Sequence, residues 1–597
     1  EKKYTDFLKN IALLLLAAVL AAGTFFGQFW AITEYTKYST RGKFELTKPG
    51  EGTPESGLTR EYAFQYKYGI LEPMTLLIPE LYGGGSGKFF YQDRNSESYK
   101  SLVGSNNPEM ANQLAQYTSA YWGPQGATLA PYYAGAIVVF LFVLGILFAD
   151  KRYVWWLVPL SVLGIMLSWG DSFPTFNYFV FDYFPGYNKF RSFSFALVMI
   201  LFAMPLLGML GVEKLWQSSF DRRSRKKLWV AFGCTAGLCL IFIVFAGMFS
   251  FTRDIEEGLP AWFLNALADD RKSLLRDDAF RSMAFITAVF ILLYFNVQKR
   301  ISPAAVYAFI ILAITIDLSV VNKRYITSDN FQRKRDRSFV APTEADQQIL
   351  QDKGYYRVYN VQGTFLEART SYHHQSIGGY HAAKLRRYQD FYDSCIVAQT
   401  RTFYADAQQQ DLNFENYSAF NMLNIKYIVF GPERGNVIVN DQTNGSAWFV
   451  SKIIKVNTAN EELVQSCEVD SKTTAVVNTA EFDVRDPEDD SVATIELMEH
   501  TLNYLKYESK STTNGVAVFS EIYYPEGWIA TIDGNETPIL RANYILRAME
   551  IPAGDHVIEF RFEPEAYTVG NKVSSVSSWL VLLVLLSSVG WSIKSRE

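Results

Sequence analysis

The chain has 597 residues, a net charge of −5, 16% aromatic residues and 20% charged residues. That length is too great for one compact domain, and the charge balance lacks the concentrated basic excess that marks nucleic-acid binding. Long apolar runs alternate with long polar stretches, which points to a polytopic membrane protein with large exported segments.

A spanning helix needs about 20 mostly apolar residues. Seven runs approach this before residue 322, at roughly 8–31, 130–149, 153–169, 193–212, 228–250, 283–297 and 303–321, and an eighth at 575–593. Asp317 falls inside the seventh, where a carboxylate has to face protein or water or lie at the rim. The first run lacks a cleavage site followed by a polar mature domain, so it reads as a span and not as a signal peptide. The chain starts at Glu1 and not at Met, which is the expectation for an N-terminal truncation.

Lys and Arg in short loops orient such a chain. With the N-terminus inside, the cytoplasmic segments are 1–10, 150–152, 213–227, 298–300 and 594–597. They hold 15 Lys and Arg against 6 acids, and their net +9 leaves −14 for the rest. The outside then receives loops 32–129, near 170–192 and near 251–282, and a domain from 322 to 574. The expected location is a bacterial inner (plasma) membrane with the large domain in the periplasm.

The exported segments predict distinct structures. The stretch GGGSG in the first loop is a turn, or a phosphate cradle made of backbone N–H groups. It lacks the Lys-Ser/Thr ending of a nucleotide P-loop. The second loop, WGDSFPTFNYFVFDYFPGYNKFRSFSF, is aromatic and broken by Pro174, Pro185 and Gly186, as in a re-entrant or interfacial segment. Its Lys189 and Arg191 lie beside the fourth span. They either hold a lipid phosphate or anchor the interface. The third loop has the periodicity of an amphipathic helix lying on the membrane. Residues 322–490 mix short strands and helices as an α/β region, with DPEDD (486–490) as its boundary. Residues 491–574 alternate as strands of a C-terminal antiparallel β-sandwich, and 575–597 form the last span and a cytoplasmic tail. Trp528 and nearby tyrosines fit a sugar platform or ordinary packing. Cys395 and Cys467 could pair if their domain is exported, and no spacing matches a zinc motif.

The stretch SYHHQSIGGYHAAKLRRYQ (371–389) holds three of the five histidines. His373 and His374 are adjacent, so in a strand they point to opposite faces and rarely share one metal. His381 precedes an expected helix HAAKLRRYQDFYDS that carries Arg386 and Arg387. No His-x-x-x-His or Glu-x-x-His pair is present. The stretch reads as a sugar- or phosphate-binding loop and helix start, or as a structural joint to the membrane domain.

Several segments together resemble the YfhO family of bacterial membrane proteins, in the form found among Bacteroidetes. They include YSTRGKFELT, GILEPMTLLIPELYGGGS, YWGPQGATLAPYYAGA, FPGYNKFRSFSFALVMILFAMPLLGMLGVEKL, DLSVVNKRYITSDNF, TSYHHQSIGGYHAAKLRRYQ and YYPEGWIATIDGNETPILRANYILRAMEIPAGDHVIEFRF. The resemblance implies a GT-C-like glycosyltransferase architecture, in which a sugar passes from a polyprenyl-phosphate carrier to a cell-envelope glycan outside the cytoplasm. It also implies a general base in the first exported loop of the complete protein, upstream of Glu1, so that base is not assigned to any residue here.

The chemistry, inversion at an anomeric carbon, needs a carboxylate to take the acceptor proton and cations to stabilise the departing phosphate. The cations in position are Arg41, Lys189, Arg191, Arg386 and Arg387. Exported acids near membrane boundaries are Glu72, Asp171 and Asp182, and His373, His374 and His381 complete the sugar- or phosphate-binding candidates. No ligand set demands a metal, although some GT-C enzymes use a divalent one. The partners expected are the lipid-linked sugar, the glycan acceptor and the bilayer, without nucleic acid. The competing reading is a non-catalytic envelope scaffold or transport accessory whose outer domain binds glycan or protein.

Overall fold

The computed structural model describes residues 2–47, 56–125, 131–217, 221–297, 301–331, 340–363, 365–488 and 490–595. The expected cytoplasmic loop 298–300 lies outside the described residues, as does part of the tail. The contacts divide the chain into two compact units, Leu58–Arg333 and a second made of Glu1–Gly57 with Lys334–Glu597.

Six described helices are long and apolar enough to cross a membrane: Tyr4–Thr24, Phe193–Gln217, Arg222–Val244, Ala261–Asn296, Pro303–Asn322 and Glu565–Lys594. Two further runs of the sequence form helices outside this set. Ala136–Phe148 has 13 residues, only about 20 Å of helix, and Lys151–Ser168 is a continuous 18-residue helix with Pro159 inside it.

In the Leu58–Arg333 unit, Phe140, Leu144, Leu228, Ile286, Val289 and Val306 share one buried cluster, so the helices pack on one another through apolar stripes. The surface helix expected near 251–282 is not separate. It runs without a break into the next span as Ala261–Val297, 37 residues, about 55 Å long. The cause is local, since this stretch contains neither Gly nor Pro to stop it. Its polar first half braces the segment 97–119. Asp270 accepts the N–H groups of Glu97 and Ser98, both at 2.8 Å, and so caps helix Glu97–Gly104. Buried Arg271 donates to Glu256 at 2.7 and 2.8 Å.

In the second unit, the first apolar run is two helices, Lys2–Thr24 and Phe26–Tyr38. The latter packs on Glu565–Lys594. Gly27 and Gly570 meet there, and a Cβ on Gly27 would lie 2.7 Å from the Gly570 carbonyl carbon. The Gly27 N–H donates to Ser574 Oγ at 3.0 Å. Small residues thus allow backbone-level contact between two apolar helices.

Two small sheets belong to the mixed region. One has Ile425–Val429 between Arg357–Asn360, parallel, and Val437–Val439, antiparallel. The other pairs Lys452–Val456 with Thr474–Asn478 in parallel, and helix Ala459–Glu468 makes the crossover that parallel strands require. Cys395 and Cys467 form a disulfide across 72 residues of sequence.

The C-terminal strands form two antiparallel sheets. One runs Asn535–Glu536, Trp528–Ile532, Gly554–Phe562, Tyr504–Ser511, Thr494–Thr501. The other runs Leu540–Ala542, Leu546–Ile551, Gly515–Ile522, Ala447–Val450. Tyr507, Ile558 and Phe560 of the first share a buried cluster with Ala517, Phe519 and Met549 of the second. Each such large apolar side chain contributes roughly 1.5–3 kcal/mol when fully buried.

Candidate functional site

The segment TREYAFQYKYG (59–69) organises one face of the Leu58–Arg333 unit. Thr59 caps the short helix Arg60–Ala63, and Ala63 and Phe64 are buried with Phe181 and Phe193. With its apolar side anchored, the segment turns its polar side chains toward residues 168–192. Leu58 N–H donates to Asn188 O and Tyr68 N–H to Ser168 O, both at 2.9 Å. Arg60 pairs with Asp182 at 2.6 Å and Lys67 with Asp171 at 2.6 Å. Arg191 donates to the Tyr62 hydroxyl at 2.6 Å, and its guanidinium lies over the rings of Tyr62 and Tyr66 at 5.0 and 5.6 Å. Asp171, Asp182 and Arg191 therefore meet one segment, and Lys189 closes a short turn beside them.

Glu72 ends that segment in a different state. It is 1% exposed, at the start of the turn Glu72–Leu76, where Pro73 fixes the first position. Its Oε1 accepts from the Tyr121 hydroxyl and its Oε2 from the Gly69 N–H, each at 2.8 Å. The Tyr121 oxygen accepts in turn from the Gln125 N–H at 3.1 Å. Among the described residues no Lys or Arg pairs with Glu72. Burial disfavours its anion and pushes the carboxyl up to about 7, although the Gly69 and Tyr121 donors pull the other way.

The glycine run beside it is a turn. Gly83 adopts φ +86°, and a Cβ there would sit 1.8 Å from the Ala120 carbonyl oxygen. Only glycine permits this crossing.

A charge network that sequence reading missed, apart from Asp317, lies deeper in this unit. Asp278 accepts from both Arg324 nitrogens at 2.7 and 2.8 Å and from Arg281 at 2.9 Å. Arg281 also pairs with fully buried Asp317, which accepts from Tyr133 at 2.7 Å and from the Ala136 N–H at 3.0 Å. Glu80 adds contacts to Lys88 at 2.8 Å and Arg324 at 3.4 Å. Each carboxylate has a cation, as buried charges require. The available signal was two Arg and two Asp at or near the ends of apolar runs, but its meaning depends on which ends meet.

The other candidates occupy the second unit, in separate places. His373 Nε2 is 2.9 Å from Val340 O. His374 Nε2 is 3.0 Å from Asp346 Oδ1, and Asp346 also accepts from Arg369 at 2.6 Å. Burial pushes the His374 imidazole down, and these donors hold Asp346 well below the usual carboxylate range. His381 is exposed, and its ring meets Tyr35 edge-on at 6.3 Å. The helix expected from His381 begins only at Arg386. The reason is that Lys384 and Leu385 are held by the backbone of Ser39 and Thr40. Arg386 donates to Thr40 O and lies 4.0 Å over the Phe44 ring, one residue stretch beyond Arg41. Arg387 pairs with Glu45, with Glu462 at 2.9 Å and with Glu481 at 3.4 Å. Among the described residues no three His, Cys, Asp or Glu converge as a metal group.

With this geometry in hand, residues 489–574 match the model of a family described as bacterial membrane protein YfhO. That stretch is similar to the YfhO family. It covers the strands from Thr494 to Phe562 and the start of the last apolar helix, and it supports the resemblance read from the sequence. The chain is a membrane protein with several apolar helices and a YfhO region. No curated protein and no solved structure matched.

Proposed function

We propose that this YfhO-type chain is a glycosyltransferase of the bacterial inner membrane, acting outside the cytoplasm on a polyprenyl-phosphate-linked sugar and a cell-envelope glycan acceptor. The proposal includes the eight-span topology, with Ala136–Phe148 and Lys151–Ser168 completing the set, and the two C-terminal sheets as a β-sandwich. The Cys395–Cys467 disulfide supports an exported domain, because such bonds persist in oxidising compartments.

One observation carries the catalytic reading: Glu72 is a buried carboxyl without a cation, poised near neutrality. Asp171 and Asp182 are neutralised by Lys67 and Arg60, whereas Glu72 can exchange a proton at working pH. In the proposed step, which places the base at Glu72 and not upstream as the resemblance implies, its carboxylate takes the proton of an acceptor hydroxyl, the acceptor oxygen bonds to the anomeric carbon, and the carbon–oxygen bond to phosphate breaks. The phosphate leaves on its lipid. Arg191, held by tyrosines, keeps its positive charge for that phosphate. No step is routed through a metal.

The test is transfer of radiolabelled sugar from a panel of polyprenyl-phosphate donors by membranes carrying the full-length protein. Glu72→Gln should abolish transfer and Asp171→Asn should only weaken it. Undiminished transfer by Glu72→Gln removes Glu72 from the chemistry. No transfer from any donor by the wild type, with unchanged surface glycans on deletion, contradicts the enzyme.

A further inference from the structure

We propose that the exported domain carries its own binding cleft for a neutral glycan chain, independent of whether Glu72 catalyses transfer. The cleft lies within the second unit, between residues 38–45 and the fold of residues 385–541. Its cavity measures about 610 Å³ and is walled by Phe44, Phe482 and Tyr523, with Arg387, Glu481 and Arg541 among its polar groups. A second cavity of about 460 Å³ shares Tyr523 and Pro525 and extends to Trp528. Both volumes fall within the roughly 300–1,000 Å³ range of ligand sites. Tyr523 and Pro525 line both, so a chain of several units bound at one reaches residues of the other.

The charges identify the occupant. Arg541 pairs with Glu481 at 2.8 Å and with Glu462 at 3.2 Å, and Arg387 pairs with Glu45, Glu462 and Glu481. Lys43, Arg387 and Arg541 line the cavity with Glu45 and Glu481, and Glu462, fully buried behind them, is the third carboxylate paired with the arginines. A phosphate entering here meets Glu45 and Glu481, whose side chains are 39% and 43% exposed, and finds its arginines already bound. A neutral polyol meets no such penalty. Its hydroxyls donate to the exposed carboxylate oxygens, and its C–H faces lie on aromatic rings, the combination of apolar wall and few fixed polar groups typical of ligand sites. Trp528 lines the far end, its ring held by Arg547 at 3.8 Å and by Phe562 at 5.1 Å.

The test uses the full-length protein in nanodiscs with fluorescein-labelled maltohexaose, mannohexaose and chitohexaose, and with heparin and a random-sequence peptide pool as the charged and peptide probes. Saturable binding of a neutral hexasaccharide is expected, weakened about tenfold by Tyr523→Ala and by Phe44→Ala and unchanged by Glu72→Gln. Glu481→Gln, at the exposed rim, weakens the same binding and serves if either aromatic variant misfolds by circular dichroism. Binding that survives all three substitutions overturns the proposal. So does a preference for heparin or peptide, or failure of every hexasaccharide at millimolar concentration.

Discussion

Glu72 and Glu462 are the same residue at the same burial, 1% and 0% exposed, in opposite electrostatic company. Glu462 accepts from Arg387 and Arg541. Glu72 accepts from a tyrosine hydroxyl and one backbone N–H. Hydrogen bonds alone satisfy the lone pairs but leave the charge uncompensated, so burial acts on Glu72 unopposed by a cation. The comparison separates a carboxylate built into the fold from one that costs the fold something to keep, and the second kind is the usual mark of a functional site.

The largest expected effect lies on the Glu462 side. Glu462→Ala removes the buried carboxylate shared by Arg387 and Arg541, leaving them only the more exposed Glu45 and Glu481, and should cost about 3–5 kcal/mol of stability, read as a large loss of melting temperature in the detergent-solubilised protein. Next is the pH response of Glu72. Its folded state retains the proton between the ordinary value of 4.5 and about 7, so the wild type loses stability as pH rises through that window and stays level above it. A shift of that size corresponds to about 3 kcal/mol. Stability relative to Glu72→Gln should therefore fall from pH 5 to pH 8, and a constant difference would show that Glu72 resembles Glu462 after all.

A smaller effect is expected at His374. Burial keeps it neutral, so the unfolded chain binds the extra proton as pH drops below 6.5, and the domain that holds it loses stability there. Asp346, held low by its donors, adds a further loss below its ordinary 3.8. Thermal melts of wild type and His374→Gln between pH 8 and pH 5 should converge at the acid end. The smallest effect is Arg191→Lys, which loses planar stacking on Tyr62 and Tyr66 and should cost about 0.5–1 kcal/mol, read as a shift of a few degrees or less.

Apolar periodicity made the main helices legible, and strand alternation with turn residues made the C-terminal sheets legible. Chain continuity was harder. The run from Ala261 to Val297 reads as two elements because its hydropathy changes midway, although no residue in it stops a helix. The start of the Arg386 helix was set by residues 39 and 40, which lie far away in sequence. The candidate residues stood out as charged types near apolar ends, and Asp317 as a carboxylate that had to be covered. Pairing was not legible. Asp171, Asp182 and Glu72 look alike in the sequence, and only the arrival of Lys67, Arg60 and Tyr121 tells them apart. Arg386 and Arg387 likewise read as phosphate ligands until Thr40, Glu45 and Glu462 supply their partners.

The central claim is that Glu72 holds its proton near neutral pH. Infrared difference spectroscopy on the full-length protein, wild type minus Glu72→Gln across pH 4 to 9, reads this directly. The account predicts a protonated-carboxyl band that disappears with a midpoint near 7. A midpoint in the ordinary glutamate range, or no such band at any pH, would contradict it.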